Sequence, residues 1–237
     1  MEVQIAVAKT NKYAVTESGD TLEVVERPNG GVSVVLADGQ TSGRGAKAVS
    51  MLVVRRVIAL LADGVRDGAA ARAASDTLYT EKQGKVISTL NIISVDLQSG
   101  TVVVTRNNPA PFFMAHNEKV DCISTPSSEI GISRNIRPVI SEIPLEPGLT
   151  LVVFTDGLVH AGDRVGRPMD ICTSIKAVLE DQDPSPRQVA DSLLAEAVRL
   201  DDNRPSDDIS VVVLKVLSRT GDDVRRMNVR LPISPRS

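Results

Sequence analysis

The sequence has no tryptophan, two tyrosines (Tyr13, Tyr79) and three phenylalanines (Phe112, Phe113, Phe154). So few rings argue against stacking platforms for single-stranded nucleic acid and against aromatic cages for cationic ligands. Cysteine and histidine are as scarce: Cys122, Cys172, His116 and His160 are the full set. Neither pair has zinc-ligand spacing, and no Cys-x-x-Cys or His-Glu-x-x-His occurs. Both cysteines are expected to be buried and free, as in a reducing cytosol. A metal bound here must then be held by oxygen, which points to a hard ion such as Mg2+ or Mn2+. A surplus of one charge is also lacking. The 27 basic and 30 acidic residues leave a formal net charge of −3. That argues against nucleic acid or a membrane surface as partner. No apolar run reaches the roughly 18 residues of a membrane span. The best stretch, Met51 to Leu61, is cut by Arg55 and Arg56. Met1 to Thr10 has neither the basic start nor the apolar core of a signal peptide. The expected location is cytoplasmic, with no sensor or membrane domain fused ahead of the first strand.

What is present is the make-up of a folded domain. The 237 residues are 42% hydrophobic and 24% charged, with a mean hydropathy of zero. A chain this long buries about 70% of its unfolded surface and needs no disulfide to fold. Alternation at Val3, Ile5 and Val7 predicts a first strand, and Leu22–Glu26 and Val32–Ala37 two more around the turn 28–31. Asp38 to Gly45 is expected as a loop. Ala46–Ala62 and Asp67–Lys82 follow as helices. A second strand block covers Ser88–Leu97, Thr101–Arg106, Phe112–Ala115, Val120–Ser124 (around a turn at Asn117), Val139–Ile143 and Leu149–Thr155. Helices are expected again at Met169–Leu179 and Pro186–Leu200. Strands are expected at Ile209–Leu217 and Val224–Leu231. Strands, two helices, strands, two helices, strands is an α+β order, not an alternating βαβ one. One domain over residues 1–237, of two sheets with helices outside, fits best.

Asp outnumbers Glu nineteen to eleven. Asp is a poor helix and strand former, so the excess must sit in loops, caps or a site. Asp20, Asp38, Asp156 and the pair Asp207-Asp208 each lie at the edge of an expected strand. Strand ends in a layered fold can converge. Asp38 and Asp156 are each followed by glycine, which lets the backbone turn and its carbonyl approach a ligand. Carboxylates with a backbone carbonyl make an Mg2+ or Mn2+ site. Asp-Gly is also a common turn, and Ser-Asp-Asp before a strand can be an Asx turn. From pattern alone both readings stand.

The motifs Ser18-Gly19-Asp20, Leu36-Ala37-Asp38-Gly39, Ser88-Thr89-Leu90-Asn91, Asn108-Pro109-Ala110-Pro111, Val153-Phe154-Thr155-Asp156-Gly157 and Ser206-Asp207-Asp208-Ile209-Ser210-Val211 occur in that order. The series resembles metal-dependent protein phosphatases (protein phosphatase 2C-like), in the bacterial stage II sporulation protein E branch. It runs from about Thr16 to Leu217. The resemblance implies a four-layer α-β-β-α sandwich, two antiparallel sheets flanked by helix pairs. It implies hydrolysis of phosphoserine and phosphothreonine by water activated between two Mn2+ or Mg2+ ions. By position, Asp38 would bridge both metals and the Gly39 carbonyl would bind the second. Asp156 and Asp207 would complete the first metal's ligands, and Asp20 would serve the second. Asp208 is expected beside them, as support or alternative ligand. The free-standing members of the branch imply a phosphorylated protein substrate, such as a STAS-type anti-sigma-factor antagonist.

Gln40 departs from eukaryotic relatives, which carry a histidine, a candidate general acid, after the first Asp-Gly. Arg44 is a candidate phosphate contact, although a solvated arginine is the plainer reading. His160 lies near the expected site. Two rival readings remain. Gly43-Arg44-Gly45-Ala46-Lys47-Ala48 imitates a nucleotide-binding Gly-x-Gly-x-x-Ala, but no second parallel strand ends in an acid about 20 residues on. A catalytically inactive phosphatase-like binding domain is the other.

Overall fold

The computed structural model describes residues 1–116, 119–179, 183–218 and 221–232. The turn expected at Asn117 lies outside them. Ten strands form two five-stranded sheets. The first sheet holds β1 (Glu2–Thr10), β10 (Ile209–Leu217), β9 (Thr150–Phe154), β6 (Phe112–His116) and β7 (Lys119–Ile123), in that spatial order. The second holds β2 (Asp20–Glu26), β3 (Val32–Gly39), β4 (Ser88–Asp96), β5 (Thr101–Asn107) and β8 (Val139–Pro144). All neighbours are antiparallel.

Side-chain parity builds the layers. On β4, Leu90 and Ile92 point to one face while Ile93 and Val95 point to the other. The first face meets α1 (Gly43–Ala62) and α2 (Asp67–Lys82), through Val49, Val53, Val57 and Leu61 on α1 and Ala70, Ala74 and Leu78 on α2. Those spacings are one helical stripe. The second face meets the other sheet. Val34, Leu36, Val102 and Val104 pack there against Val153, Val212, Leu214 and Val216. β-Branched side chains fill this inner layer, and Phe112 is the one ring among its buried residues. That is how the fold does without tryptophan. On the far side, α4 (Ile171–Leu179) and α5 (Pro186–Leu200) cover the first sheet. A capping box starts α5: Ser185 Oγ accepts from Gln188 N–H, and Gln188 Oε1 accepts from Ser185 N–H. The result is the expected four-layer α-β-β-α sandwich.

Four expectations need correction. Helix α1 begins at Gly43, so Gly43, Arg44 and Gly45 form its first turn. Asp38 and Gly39 end β3, paired to Thr89 and Ser88, and are not loop residues. Val224–Leu231 is no strand: Val229 is 95% and Leu231 77% exposed, so the apolar side chains that suggested a strand bury nothing. Instead, Arg225 pairs with Glu26 and Arg226 with Asp222. The cysteines are free but not buried; Cys122 is exposed and Cys172 half-buried.

Candidate active site

The acidic residues meet at one end of the cleft between the sheets. Asp20 opens β2 directly opposite Asp38 on β3, and Thr89 on β4 stands opposite Asp38 in turn. By parity with Leu22, Leu36 and Ile93, all three face the inner layer. Asp156 begins the one-turn helix α3 (Asp156–Val159) after β9, and Asp207 and Asp208 immediately precede β10. Both sheets thus bring carboxylates to the same end.

Asp20 ties the sheets together. Its Oδ2 accepts from Ser210 Oγ at 2.6 Å, on β10 of the opposite sheet, and from Thr155 Oγ1 at 3.1 Å, just past the end of β9. Its Oδ1 is buried without a partner. Burial raises the Asp20 pKa to about 6 against the lowering by these two hydroxyls. Asp38 is pushed further, to about 9, first by burial and then by the charges of Asp20, Asp156 and Asp207. Burial also raises Asp207. Asp208 differs. Its two oxygens accept the backbone N–H groups of Lys12 (2.9 Å) and Gly19 (2.7 Å). It pins the β1–β2 loop and has both oxygens engaged.

The glycines are steric requirements. A Cβ on Gly39 would lie 2.1 Å from the Ala46 carbonyl oxygen, and one on Gly157 2.0 Å from that of Asp208. The backbone of α1 therefore presses on the end of β3, and that of α3 on the start of β10. Such close approach keeps main-chain carbonyls beside the carboxylates.

Several polar residues here have no role assigned from the sequence, although Thr89, Asn91, Thr155 and Ser210 fall within its motifs. Lys9 and Lys47 both donate to the Asp20 carbonyl, at 2.6 and 2.9 Å, and Lys47 also reaches Thr21 Oγ1. Desolvation lowers the Lys9 pKa against the pull of Asp20. Thr89 Oγ1 and both amide atoms of Asn91 are buried and unpartnered. The available signal was polar residues at inward positions of apolar strands, as Thr155 after Val153 and Ser210 before Val212. Gln40 is a tie, not a proton donor: its Oε1 and N–H bond the N–H and carbonyl of Ile87. His160 is exposed, 2.9 Å from Asp163. Arg44 is exposed in the first turn of α1, without a hydrogen bond or ion pair among the described residues. Gly43 and Gly45 follow a strand whose neighbours are both antiparallel, so the nucleotide-binding context is absent.

Among the described residues, no three Asp, Glu, His or Cys side chains are close enough to form a ready-made ion cage. The donor chemistry nonetheless fits a hard divalent ion. The acids supply only oxygen, Asp20 Oδ1 is buried and unused, and Gly39 and Gly157 leave no room for a Cβ beside the carboxylates.

The family profile of stage II sporulation protein E (SpoIIE) matches residues 28–217. Stage II sporulation protein E of Priestia megaterium is 24% identical over 218 residues, 92% of this chain but 37% of that protein. The Bacillus subtilis (strain 168) protein is 22% identical over 215 residues, 90% of this chain and 26% of its own length. The chain thus spans about a third or less of these relatives. Among solved structures, the PP2C phosphatase domain of SpoIIE from Bacillus subtilis with a fragment of its regulatory domain superposes with a TM-score of 0.78. It is 21% identical and covers 91% of this chain and 64% of that one. The catalytic domain of the serine/threonine protein phosphatase PstP, in complex with two manganese ions, gives 0.70 at 16% identity, covering 91% and 99%. RsbX in complex with magnesium gives 0.67 at 14%, covering 90% and 94%. By this match over most of its length, the chain belongs to the SpoIIE family, and it is built on the PP2C phosphatase fold.

Proposed function

We propose that this domain is a metal-dependent protein phosphatase acting on phosphoserine and phosphothreonine, with two Mn2+ or Mg2+ ions. The observation that carries the reading is the convergence of Asp20, Asp38, Asp156 and Asp207 from both sheets on one cleft end, in a SpoIIE-family chain. PstP with manganese and RsbX with magnesium support the choice of metals. In this reading Asp38 would hold both ions, the Gly39 carbonyl and Asp20 would hold the second, and Asp156 and Asp207 the first. Bound ions would lower the pKa of a water molecule and neutralise phosphate charge. The protein's share is positioning. Ser210 and Thr155 orient the Asp20 carboxylate, leaving Oδ1 free. Lys9 and Lys47 add positive charge beside the clustered acids. Asp208 fixes the loop that presents Gly19 and Asp20. Gln40, engaged by Ile87, is an amide and supplies no proton to the leaving seryl or threonyl oxygen.

The substrate class we infer is a phosphorylated protein of a bacterial stress or sigma-factor partner-switching system, such as a STAS-type antagonist, met in the cytoplasm. RsbX and the RsbU and RsbW domains of Rv1364c among the structural neighbours support this. A panel of phosphorylated STAS proteins tests it, and dephosphorylation of none would sink it. The reaction itself is tested on an aryl phosphate with Mn2+ and with EDTA, for wild type, Asp38→Ala and Asp156→Asn. Turnover is expected only with metal, reduced by about two orders of magnitude or more in both variants. EDTA-resistant turnover, or full activity in the variants, removes the mechanism. No turnover of any substrate would favour the inactive binding domain.

A further inference from the structure

Four basic residues on the segments beside the acidic cluster form no ion pair among the described residues: Lys12, whose charge nonetheless acts on Asp207, Arg44, Arg164 and Arg204. They come from four segments that hold one another. Tyr13 N–H donates to the Pro205 carbonyl at 2.9 Å, joining the β1–β2 loop to the α5–β10 loop. Arg164, in the turn after α3, donates to the Arg204 carbonyl at 3.2 Å. A Cβ on Gly43 would lie 3.9 Å from Val15, so the start of α1 abuts the β1–β2 loop. Two rim acids are already taken, Asp163 by His160 and Asp202 by Arg167.

Arg204 is the informative residue. Asp202, Asp207 and Asp208 all lie within four positions of it. It pairs with none of them. Its guanidinium instead sits over the Tyr13 ring, 5.3 Å from the centroid, and Tyr13 is itself 54% exposed. A stacked arginine is weakly hydrated and keeps its donors outward in a fixed plane. The floor of the cleft is acidic, and its rim sets these four cations beside the paired Asp163 and Asp202 and the half-buried Glu17. A phosphate seated on the floor would place the flanking residues of its peptide at the rim.

We propose that the rim formed by Lys12, Arg44, Arg164 and Arg204 docks an acidic stretch flanking the phosphorylated residue of a protein substrate. The proposal rests on the phosphatase reading above for the seat of the phosphate. It adds a sequence preference which that reading does not contain.

The test uses fluorescent peptides with a non-hydrolysable phosphonate in place of phosphoserine, flanked by either glutamates or glutamines. Affinity for the full chain is measured by anisotropy in Mn2+. The glutamate peptide is expected to bind about tenfold tighter at about 50 mM NaCl, narrowing to about twofold at about 300 mM. The ratio of the two affinities is then measured for Arg164→Glu and Arg204→Glu; it is expected to fall to one or below. Because the ratio is taken within each variant, a general loss of binding does not mimic the result. Tyr13→Leu, which removes the stack and no charge, is expected to reduce the ratio partway. Equal affinity for both peptides in wild type, or a preference that survives both charge reversals, overturns the proposal. Aryl phosphate turnover is scored separately. Turnover without the preference defeats the rim alone, and preference without turnover defeats the phosphatase reading alone.

Discussion

Single carboxyl groups at the cleft floor set how the metal-free protein responds to pH. Asp38, raised to about 9, and Asp20, raised to about 6, keep protons that the unfolded chain has released. Between the ordinary aspartate range and about pH 9 the folded state therefore binds more protons, and stability falls as pH rises. Lys9, lowered by burial, acts in the opposite sense, toward the ordinary lysine range. In EDTA, the urea midpoint is expected to be higher at about pH 5.5 than at about pH 8, and Asp38→Asn should flatten that slope. Identical midpoints would contradict the burial of these groups. Asp208 behaves differently because its charge is used. Asp208→Ala strands two backbone donors, Lys12 and Gly19 N–H, and should cost about 2–4 kcal/mol in urea unfolding. The acids themselves were legible in the sequence, since Asp-Gly after an apolar strand is a local pattern. Lys9 and Lys47 were not, and Thr89 and Asn91 stood out only as members of a motif, with no role attached. Their meaning depends on which strand lies opposite: Lys9 faces Ser210, two hundred residues away, and no window of sequence contains that pair.

At the scale of elements, two glycines decide how closely helices approach strand ends. Gly39→Ala would drive a methyl group into the Ala46 carbonyl, and Gly157→Ala into that of Asp208. Each is expected to cost about 3 kcal/mol or more, read as a lower thermal midpoint. Gly45→Ala is the contrast. Its Cβ would meet nothing nearer than Thr41 Oγ1 at 3.7 Å, inside the first turn of α1. It should stabilise by about 0.5–1 kcal/mol through helix propensity. A loss of folding or of turnover in Gly45→Ala would instead revive a ligand-cradling role for this turn. Elements with a strong internal period were readable: α2 spans Asp67–Lys82 as its alanine-rich stripe predicts. The start of α1 was not, because Gly43 and Gly45 read as loop. There the helix is held by Gly39, which lets Ala46 close on β3. The tail at Val224–Leu231 had the alternation of a strand, but its apolar side chains stay exposed and it meets the edge strand β2 through the Arg225–Glu26 ion pair.

On the scale of the whole molecule, both sheets contribute to the inner layer of Leu36, Val104, Val153 and Val212, so neither is complete alone. Hydrogen exchange is expected to show β4 and β10 losing protection together as denaturant is raised, in one cooperative step. Separate steps would divide the chain into two units. The two-sheet architecture was legible from element order, but the spatial order of strands was not, since the apolar runs of β9 and β10 specify burial on both faces and no particular neighbour. One pairing has a consequence in time. β1 takes its place against β10, Glu2 opposite Leu217. On a ribosome β1 is made well before β10 and stays without that partner until the strands between them have been made. Asp207 arrives with that same late strand. The acidic cluster thus stays incomplete until β10 closes the first sheet, and a chain stopped short of β10 lacks both the partner of β1 and the Asp207 carboxylate.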